Sequence, residues 1–426
     1  MSLVKVAVVG IHGHGGSHLR TVADLEERGL ARLSAVVDPR EPEDAPAPWF
    51  ASLGDLLSAD ADALPDVVAL ATPIHTHLPL ARAAMEAGID VLLEKPTTAS
   101  LAEHAELVAV AERTGRLCQV GFQTFGSHAL PAVADMIARG EVGQVTGIGA
   151  VGTWVRTAAY WARSPWAGRR RMGDRAVVDG VVTNPLAHAV ATALWVGGAR
   201  ASTDIAYVNT DLWRANPIEA DDTSSLRAVG TDGTRYGFGL TLCAPERTPA
   251  RVIVQGTAGE IELEYERDLV RLRTGRVVAE KQYGRTGLLE NLLLARAAVD
   301  AGAGPESGAA NGAPSGRAGE RLLCDVRDTG AFMQVLEAVR TAADPAPIRD
   351  AFVEWVDGGP GPGPGAGGGA GPGAGGRPGG GLSGAQGNPE GDARHPVVRD
   401  VAEWCERAAR EQRTFTELGA PWTALT

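Results

Sequence analysis

The first third of the chain alternates short β-branched runs with amphipathic helical segments, and this alternation restricts the possible folds more than any other feature. The strand-like runs are Lys5–Gly10, Leu33–Asp38, Asp66–Thr72, Val91–Glu94 and Leu117–Gly121. The helical segments between them are Ser17–Arg28, Leu78–Ala87 and Leu101–Arg113. Apolar strands separated by helices pair in parallel. The sequence therefore predicts an α/β domain with a doubly wound parallel sheet over residues 1–122.

The pattern changes near Val145, where strand-like runs follow one another with only turns between them. These runs are Val145–Trp154, Ile205–Asn209, Ser225–Val229, Tyr236–Leu242, Val252–Gln255, Glu260–Tyr265 and Leu269–Arg273. Residues 229–234 carry a Gly/Asp signal that is typical of a hairpin turn. We expect an α+β domain over residues 123–348, built on a large, mostly antiparallel β-sheet. Helical periodicity returns at Gly287–Ala301 and Asp325–Ala342.

A glycine- and proline-rich stretch interrupts the C-terminal part of the chain. Gly358–Gly381 contains only Gly, Pro, Ala and one Arg. Such a composition offers almost no side chains to bury, so we expect a flexible insert over residues 357–392. Amphipathic periodicity resumes at Pro396–Arg413, which predicts a helical tail over residues 393–426.

Composition and charge exclude several classes of partner. The formal net charge is -12, which argues against binding of nucleic acid and of anionic membrane surfaces. The N-terminus shows no secretory signal, and no apolar run is long enough to span a bilayer. The cysteines are scattered without a Cys-x-x-Cys pair, and no His/Cys/carboxylate cluster has metal-ligand spacing. We therefore expect a cytoplasmic protein with structural thiols and no metal.

A glycine-rich turn follows the first strand, with the sequence Gly10-Ile-His-Gly-His-Gly-Gly-Ser-His18. Glycine lets the backbone approach a pyrophosphate, which the next helix N-terminus attracts. The spacing nearly fits Gly-x-Gly-x-x-Gly, with Gly10 first and Gly15 third. The middle position is His12, and its glycine is displaced to Gly13. These residues predict a dinucleotide site, although an ordinary tight strand-to-helix turn is the alternative.

The second strand ends in an acidic residue, Asp38, at the distance where a carboxylate accepts hydrogen bonds from the adenosine ribose. A carboxylate there repels a 2′-phosphate, which favours NAD. Arg40 follows two residues later and can neutralise such a phosphate, so NADP stays open. A surface carboxylate without a ligand is the alternative.

Two segments near the middle of the first domain carry a specific pattern. They are Ala71-Thr-Pro-Ile-His-Thr-His77 and Ala87-Gly-Ile-Asp-Val-Leu-Leu-Glu-Lys-Pro96. Their order and spacing resemble the Gfo/Idh/MocA family, named for glucose–fructose oxidoreductase, inositol dehydrogenase and a rhizopine-catabolism protein. Further likeness lies at Gln119–Gln123, Gly140–Gly143 and Val254–Ile261. The resemblance covers most of residues 4–343 and implies an N-terminal Rossmann domain.

The resemblance also implies roles for individual residues. Lys95 corresponds to a lysine that touches the substrate hydroxyl and tunes its proton transfer, whereas a lysine after a buried strand would otherwise extend to solvent. Pro96 is expected to follow a cis peptide bond. Positions that the family uses around the cofactor are Thr72, Pro73, His77, Glu94, Lys95 and Gln123.

The family's second signature, Asp-x-x-x-His, has a modified counterpart here. Counting back from Trp195–Gly198 aligns His188 with the histidine and Asn184 with the aspartate. We expect both on one helix face, since they are four residues apart. Asparagine cannot act as a base, so His188 would accept the proton. Asp179 can supply the missing carboxylate, although the spacing does not require it, and a purely structural histidine is the alternative.

An aromatic and basic segment, Trp154–Arg171, precedes that motif. Aromatic faces beside guanidinium donors suit a polyhydroxylated ring. The predicted substrate contacts, besides Lys95, Asn184 and His188, are Tyr160, Trp161, Trp166 and Arg169. A basic surface loop with buried tryptophans explains the segment equally well.

The resemblance implies an NAD(P)-dependent oxidoreductase that acts on a hydroxyl or keto group of a sugar, sugar derivative or cyclitol. Two alternatives are a glycosidase that retains NAD and a dinucleotide-binding sensor with a decayed site. The features that favour a sensor are His12 and Asn184, whereas Glu94-Lys95-Pro96 argues against it. A homo-oligomer formed through the large β-sheet is also expected.

Overall fold

The structure, a computed structural model, describes residues 3–301, 321–358 and 391–424. The chain divides into two compact units. The first contains Met1–Gly126 and Arg285–Thr329, and the second contains Ser127–Gly284 and most of the chain after Gly330. Most of the insert predicted at 357–392 lies outside the described residues.

The first unit contains a six-stranded sheet in which every neighbouring pair is parallel. Its strands are β1 (Val4–Val9), β2 (Ala31–Val37), β3 (Trp49–Phe50), β4 (Val67–Leu70), β5 (Asp90–Leu93) and β6 (Cys118–Val120). Its first helices are α1 (Gly15–Glu27), α2 (Leu53–Leu57), α3 (His77–Glu86) and α4 (Leu101–Thr114). The strand order is β3-β2-β1-β4-β5-β6. The predicted doubly wound parallel sheet is confirmed.

The order of these strands determines where a ligand can bind. The chain leaves β1 toward β2 on one side and returns to β4 on the other, so the strand order reverses between β1 and β4. In such sheets the crevice outside the carboxyl ends of the strands at this point binds ligands. The glycine-rich turn follows β1, and the Thr-Pro segment follows β4. Both segments therefore lie at that crevice.

The second unit contains a nine-stranded sheet of order β16-β15-β14-β13-β7-β12-β11-β10-β17. Its strands are β7 (Val145–Thr153), β10 (Ile205–Arg214), β11 (Thr223–Gly230), β12 (Arg235–Thr241), β13 (Arg251–Gly256), β14 (Glu260–Glu264), β15 (Leu269–Thr274), β16 (Val277–Gln282) and β17 (Ala346–Pro347). Two small hairpins pair β8 (Arg171–Met172) with β9 (Arg175–Ala176), and β18 (Val353–Val356) with β19 (His395–Val398). Only β7–β12 and β10–β17 pair in parallel within this sheet, so the predicted mostly antiparallel sheet is confirmed.

The remaining helices, in chain order, are α5 (Ala129–Ala138), α6 (Ala158–Ala162), α7 (Ala187–Val196), α8 (Leu288–Asp300), α9 (Gly330–Thr341), α10 (Val401–Glu411) and α11 (Phe415–Leu418). Of these, α8 belongs to the first unit, although the sequence assigned it to the domain at 123–348. The Gln119 side chain donates to Asn291 of α8 over 3.0 Å, and Arg296 pairs with Asp90 of β5. These contacts and the buried leucines of α8 fix it in the first unit.

Helix α10 lies in the predicted helical tail, and it packs on one face of the large sheet. Glycines on the central strands allow this close approach: a Cβ atom at Gly239 would lie 2.1 Å from the Cys405 carbonyl oxygen. The opposite face of β7 meets the residue before α7, where a Cβ at Gly152 would lie 2.5 Å from Leu186. Trp422, at 2% exposed, extends the core under α10.

Two further features of the described residues bear on the sequence predictions. None of the helices in these ranges is long and apolar enough to cross a membrane. The four cysteines are buried and unpaired by disulfides. Burial raises the pKa of the Cys118 thiol, which keeps it protonated and matches a structural role.

Candidate functional site

The glycine-rich turn after β1 depends on glycine at two positions. Gly10 has a φ of 81°, and a Cβ there would lie 2.7 Å from the Ala71 carbonyl oxygen. A Cβ at Gly15 would lie 1.8 Å from the carbonyl oxygen of Gly10. Helix α1 begins at Gly15, which is the third glycine of the predicted Gly-x-Gly-x-x-Gly pattern. The turn therefore lies directly against the segment after β4 and against the start of α1, and neither position has room for a side chain.

The displaced glycine has a different function. Gly13 has a φ of 61°, and a Cβ there would meet nothing within 4 Å. It provides a left-handed conformation rather than a close approach. His14 is the N-cap of α1 and makes no side-chain capping bond to the helix. The backbone N–H groups of Gly15 and Ser17 donate to the carbonyl oxygens of His12 over 3.3 Å and of His14 over 2.9 Å, so the attraction for an anion here comes mainly from the positive end of the helix dipole.

Asp38 follows β2 and closes the turn from the other side. Its side chain is 7% exposed, and its carboxylate accepts hydrogen bonds from the backbone N–H of Ile11 over 3.2 Å and of Arg40 over 3.0 Å. The His12 ring lies 3.6 Å from the same carboxylate. The Arg40 side chain is 74% exposed and lies 3.8 Å from Asp38. The Asp38 carboxylate is therefore held in orientation by two backbone N–H groups, whereas the Arg40 side chain lies largely in solvent.

Glu94, directly after β5, is the most heavily bonded carboxylate of the first unit's candidate site. Its Oε1 lies 3.1 Å from His14 Nε2 and 2.9 Å from His18 Nε2, and Gln123 Nε2 lies 3.4 Å away. Its Oε2 accepts from the backbone N–H of Lys95 over 3.1 Å. Burial raises the pKa of the Glu94 carboxyl, but the bonds to His14 and His18 outweigh it and hold the pKa well below its usual value. Glu94 is thus a buried anion.

Lys95 follows Glu94 at the carboxyl end of β5, where the fold binds ligands. The residue is only 8% exposed, in contrast to a lysine that extends to solvent. The peptide bond between Lys95 and Pro96 is cis, as predicted.

His77 is fully enclosed beside the same turn. Its Nε2 lies 2.9 Å from the Thr72 carbonyl oxygen, and its Nδ1 lies 2.9 Å from the Pro96 carbonyl oxygen. Burial lowers the pKa of the imidazole, so the neutral form dominates at pH 7. The ring therefore lies between the segment after β4 and the turn that carries Lys95, and in its neutral form it donates a hydrogen bond to one of these two segments.

In the second unit, Asn184 and His188 do not share a helix face, and this prediction is wrong. Helix α7 begins at Ala187, and Asn184 lies in the preceding turn. Pro185 lacks an N–H and disfavours helical backbone at the residue before it, which explains the late start. His188 is 1% exposed in the first turn of α7.

Asn184 is instead connected to an upstream carboxylate. Its side-chain amide donates to Asp179, whose other oxygen accepts from Arg163 over 3.1 Å and from the backbone N–H of Gly168 over 2.8 Å. The carboxylate that the motif lacks at Asn184 therefore lies one hydrogen bond away. Sequence reasoning had left this possibility open.

The aromatic and basic segment of the second unit is largely packed. Arg163 stacks over the Tyr160 ring at 3.7 Å and over the Trp166 ring at 4.7 Å. The Trp161 ring meets Tyr160 edge-on at 5.0 Å, and Tyr160 is 4% exposed. Arg169 is exposed and pairs with Glu219 over 2.9 Å. The segment combines buried aromatic rings with exposed basic side chains. It therefore has features of both predictions, a binding site for a polyhydroxylated ring and a basic surface loop.

Two groups escaped the sequence analysis. The His14–His18–Glu94 cluster was missed, although the i, i+4 spacing of the histidines at the start of a helix was a usable signal. The second is Asp221, at 2% exposed, whose Oδ2 accepts from Ser224 over 2.9 Å. Burial raises the pKa of Asp221 to about 6. A Cβ at Gly180 would lie 1.8 Å from its Oδ1, so this carboxyl adjoins the segment that leads to Asn184.

The model of the Gfo/Idh/MocA family, described as an oxidoreductase family with an NAD-binding Rossmann fold, matches residues 4–122. The N-terminal domain of the chain is therefore similar to that family. The match covers the glycine-rich turn, Asp38 and the Glu94-Lys95-Pro96 sequence. The Rossmann fold predicted for the N-terminal domain is therefore confirmed.

Individual relatives match parts of this chain. An inositol 2-dehydrogenase of Rhodococcus jostii is 36% identical over 148 residues, which are 33% of this chain and 40% of the relative. A glycosyl hydrolase family 109 protein of Shewanella baltica is 30% identical over 159 residues, 34% of each chain. The chain thus spans less than half of these curated relatives.

Among solved structures, the WlbA dehydrogenase of Bordetella pertussis, in complex with NADH and UDP-GlcNAcA, has a TM-score of 0.61 at 20% identity. The superposition covers 79% of this chain and 95% of that enzyme. At this identity the likeness shows the fold alone, and it includes residues beyond 4–122.

Proposed function

We propose that the protein is an NAD(P)-dependent oxidoreductase that transfers a hydride to or from a hydroxyl or keto carbon of a sugar, sugar derivative or cyclitol. The observation that carries the proposal is the arrangement at the carboxyl ends of β1, β2 and β5. There a tight glycine-containing turn, an oriented Asp38 and a buried Lys95 occur within the domain that matches the family model. The named dehydrogenases among the relatives support the same activity.

The residues of the first unit fit a dinucleotide. We assign the pyrophosphate to the turn of Gly10, Gly13 and Gly15 with the N-terminus of α1, where His12 borders the site. Asp38 accepts hydrogen bonds from the adenosine ribose, and this assignment favours NAD, while the exposed Arg40 leaves room for NADP. The positions proposed nearer the nicotinamide are Thr72, Pro73, His77, Glu94 and Gln123. When bound, the cofactor supplies the hydride chemistry.

Lys95 and His188 are the proposed proton-handling groups. Removing a hydride from an alcohol carbon also requires loss of the hydroxyl proton. A lysine ammonium lowers the pKa of a hydroxyl that it touches, and a neutral histidine accepts the proton. We propose Asn184, Tyr160, Trp161, Trp166 and Arg169 as substrate contacts, with Asp179 orienting Asn184.

A panel of sugars and cyclitols, each with NAD and with NADP, tests this function. We expect at least one substrate to produce reduced nicotinamide, measured by its absorbance. The Shewanella baltica relative supports a second candidate, a glycosidase that retains its cofactor. That enzyme would release sugar from a chromogenic glycoside without net reduced nicotinamide. Cofactor binding with neither reaction would favour a sensor.

The large sheet is also the proposed surface for a homo-oligomer. Helices α10 and α7 occupy central parts of its two faces, so any partner would contact the strands toward β16, where Val277 and Val278 are each 63% exposed. Sedimentation analysis of the full chain, with Val278→Lys as the variant, tests this assignment. We further propose a cytoplasmic location.

A further inference from the structure

Two histidines from the start of α1 converge on one carboxylate. The Nε2 atoms of His14 and His18 lie 3.1 Å and 2.9 Å from Oε1 of Glu94. These ligand-type atoms all lie within 4.8 Å of one another. Glu94 and His18 are buried, and the His14 side chain is 22% exposed. The cluster therefore has a single partly open side.

We propose that His14, His18 and Glu94 bind a divalent transition-metal ion, with zinc as the best match. Imidazole nitrogen and carboxylate oxygen are ligands that zinc prefers, at about 2.0–2.2 Å. Two such ligands in a tetrahedral site are about 3.4 Å apart. The nitrogen-to-oxygen distances of 3.1 Å and 2.9 Å are those of hydrogen bonds, so the ligand atoms would move apart by a few tenths of an ångström to hold zinc. Small side-chain rotations would admit the ion.

Helix α1 and strand β5 position these ligands before a metal ion binds. His14 and His18 are four residues apart across the first turn of α1, so they project from one side of the helix. Glu94 leaves the end of β5 and lies against Gly121, where a Cβ would approach its Oε1 to 3.0 Å. A larger residue at position 121 would displace the carboxylate. Little conformational entropy is thus left to lose on binding.

Gln123 offers a fourth ligand. Its Nε2 lies 3.4 Å from Glu94 Oε1, and its own Oε1 is buried without a hydrogen-bond partner in the ranges that the structure describes. The two ends of a glutamine amide are nearly equivalent in shape, so turning the amide directs Oε1 toward the cluster. A cation there would satisfy this buried oxygen.

The charge of the cluster suits a dication. When a metal ion is bound, its imidazole ligands are neutral and the carboxylate contributes one negative charge. No further acid belongs to this cluster among the described residues. Glu94 and Gln123 are also proposed cofactor contacts, but the metal site depends only on the distances among its own side chains and not on a substrate.

Zinc titration of the full-length, chelator-treated protein tests the proposal. Calorimetry and competition with a chromogenic chelator measure the affinity. Cobalt provides a second readout, since its visible absorption reports nitrogen and oxygen coordination. We expect one zinc per chain. His14→Ala removes one ligand from the partly exposed side and should weaken binding about 100-fold. Glu94→Gln should do the same, and circular dichroism verifies that both variants fold.

His12→Ala is the matched control, because His12 lies in the same turn but faces Asp38. It should bind zinc as the wild type does. Absence of stoichiometric zinc binding, or equal affinity in the wild type and His14→Ala, would overturn the proposal. NADH titration in the presence of chelator separates the two hypotheses, since it tests the cofactor site without metal.

Discussion

The side-chain amide of Asn184 donates a hydrogen bond to the carboxylate of Asp179. Asp179 is 3% exposed, and it also receives hydrogen bonds from Arg163 and from the backbone of Gly168. The carboxylate expected at the motif position is therefore displaced within the second unit rather than absent from it. This geometry makes Asp179 a positioning residue for the segment before His188.

Replacing Asp179 by alanine should destabilise the protein by at least about 2 kcal/mol, because three donors, one of them charged, lose a buried acceptor. Urea unfolding measures this change. Arg169→Ala is the control, since its ion pair with Glu219 is exposed and should contribute under about 1 kcal/mol. Equal losses in the two variants would contradict the buried role of Asp179.

Lys95→Ala should lower turnover by roughly 10²–10⁴-fold on a proven substrate, because it removes the group proposed to tune proton transfer. His188→Ala should have a similar effect. Steady-state kinetics measures turnover, and NADH titration checks that the cofactor still binds. Near-normal turnover in Lys95→Ala would refute the mechanism, but it would not affect the similarity of residues 4–122 to the family.

The buried carboxyl of Asp221 should make folding stability depend on pH. Its pKa is 3.8 ordinarily and about 6 in the folded protein. The folded state therefore holds the proton more tightly, so the stabilisation is complete below the unfolded pKa and lost as pH rises through about 6. Relative to the wild type, Asp221→Asn should gain about 1.4 kcal/mol between about pH 5 and about pH 7.5. Denaturant unfolding at both pH values measures the difference, and a pH-independent difference would contradict it.

Two glycines of one turn should differ in their tolerance of a methyl group. Gly15→Ala places Cβ 1.8 Å from the Gly10 carbonyl oxygen and should cost more than about 3 kcal/mol. Gly13→Ala meets no neighbour and should cost only about 1 kcal/mol for its positive φ. Thermal unfolding compares them. If both variants melt at the same temperature, the close approach at Gly15 is not real.

Much of the fold follows from local sequence pattern. The five strands expected in the first domain all form, because β-branched runs between helical segments have few other solutions. Strand β3, Trp49–Phe50, was missed because its two residues pair with β2 only in the folded sheet. The hairpin of β18 and β19 joins segments on either side of the insert, and local periodicity carries no information about such pairing.

The same distinction between local and long-range features applies to the residues of the candidate site. Gly10, Asp38 and Lys95 could be predicted because their motifs are short and lie at strand ends. The contact between His14 and Glu94 spans 80 residues, so only the fold reveals it. The start of α7 at Ala187 was misjudged because helical spacing was weighed above the effect of Pro185.

Titration of the purified protein with NADH, followed by nicotinamide fluorescence, tests the central claim most directly. We predict saturable binding at one site per chain, weakened in Asp38→Ala because the ribose loses its oriented acceptor. NADPH should bind more weakly than NADH, since the Asp38 carboxylate repels a 2′-phosphate. If the folded protein binds neither NADH nor NADPH, the assignment of a dinucleotide-dependent oxidoreductase is wrong.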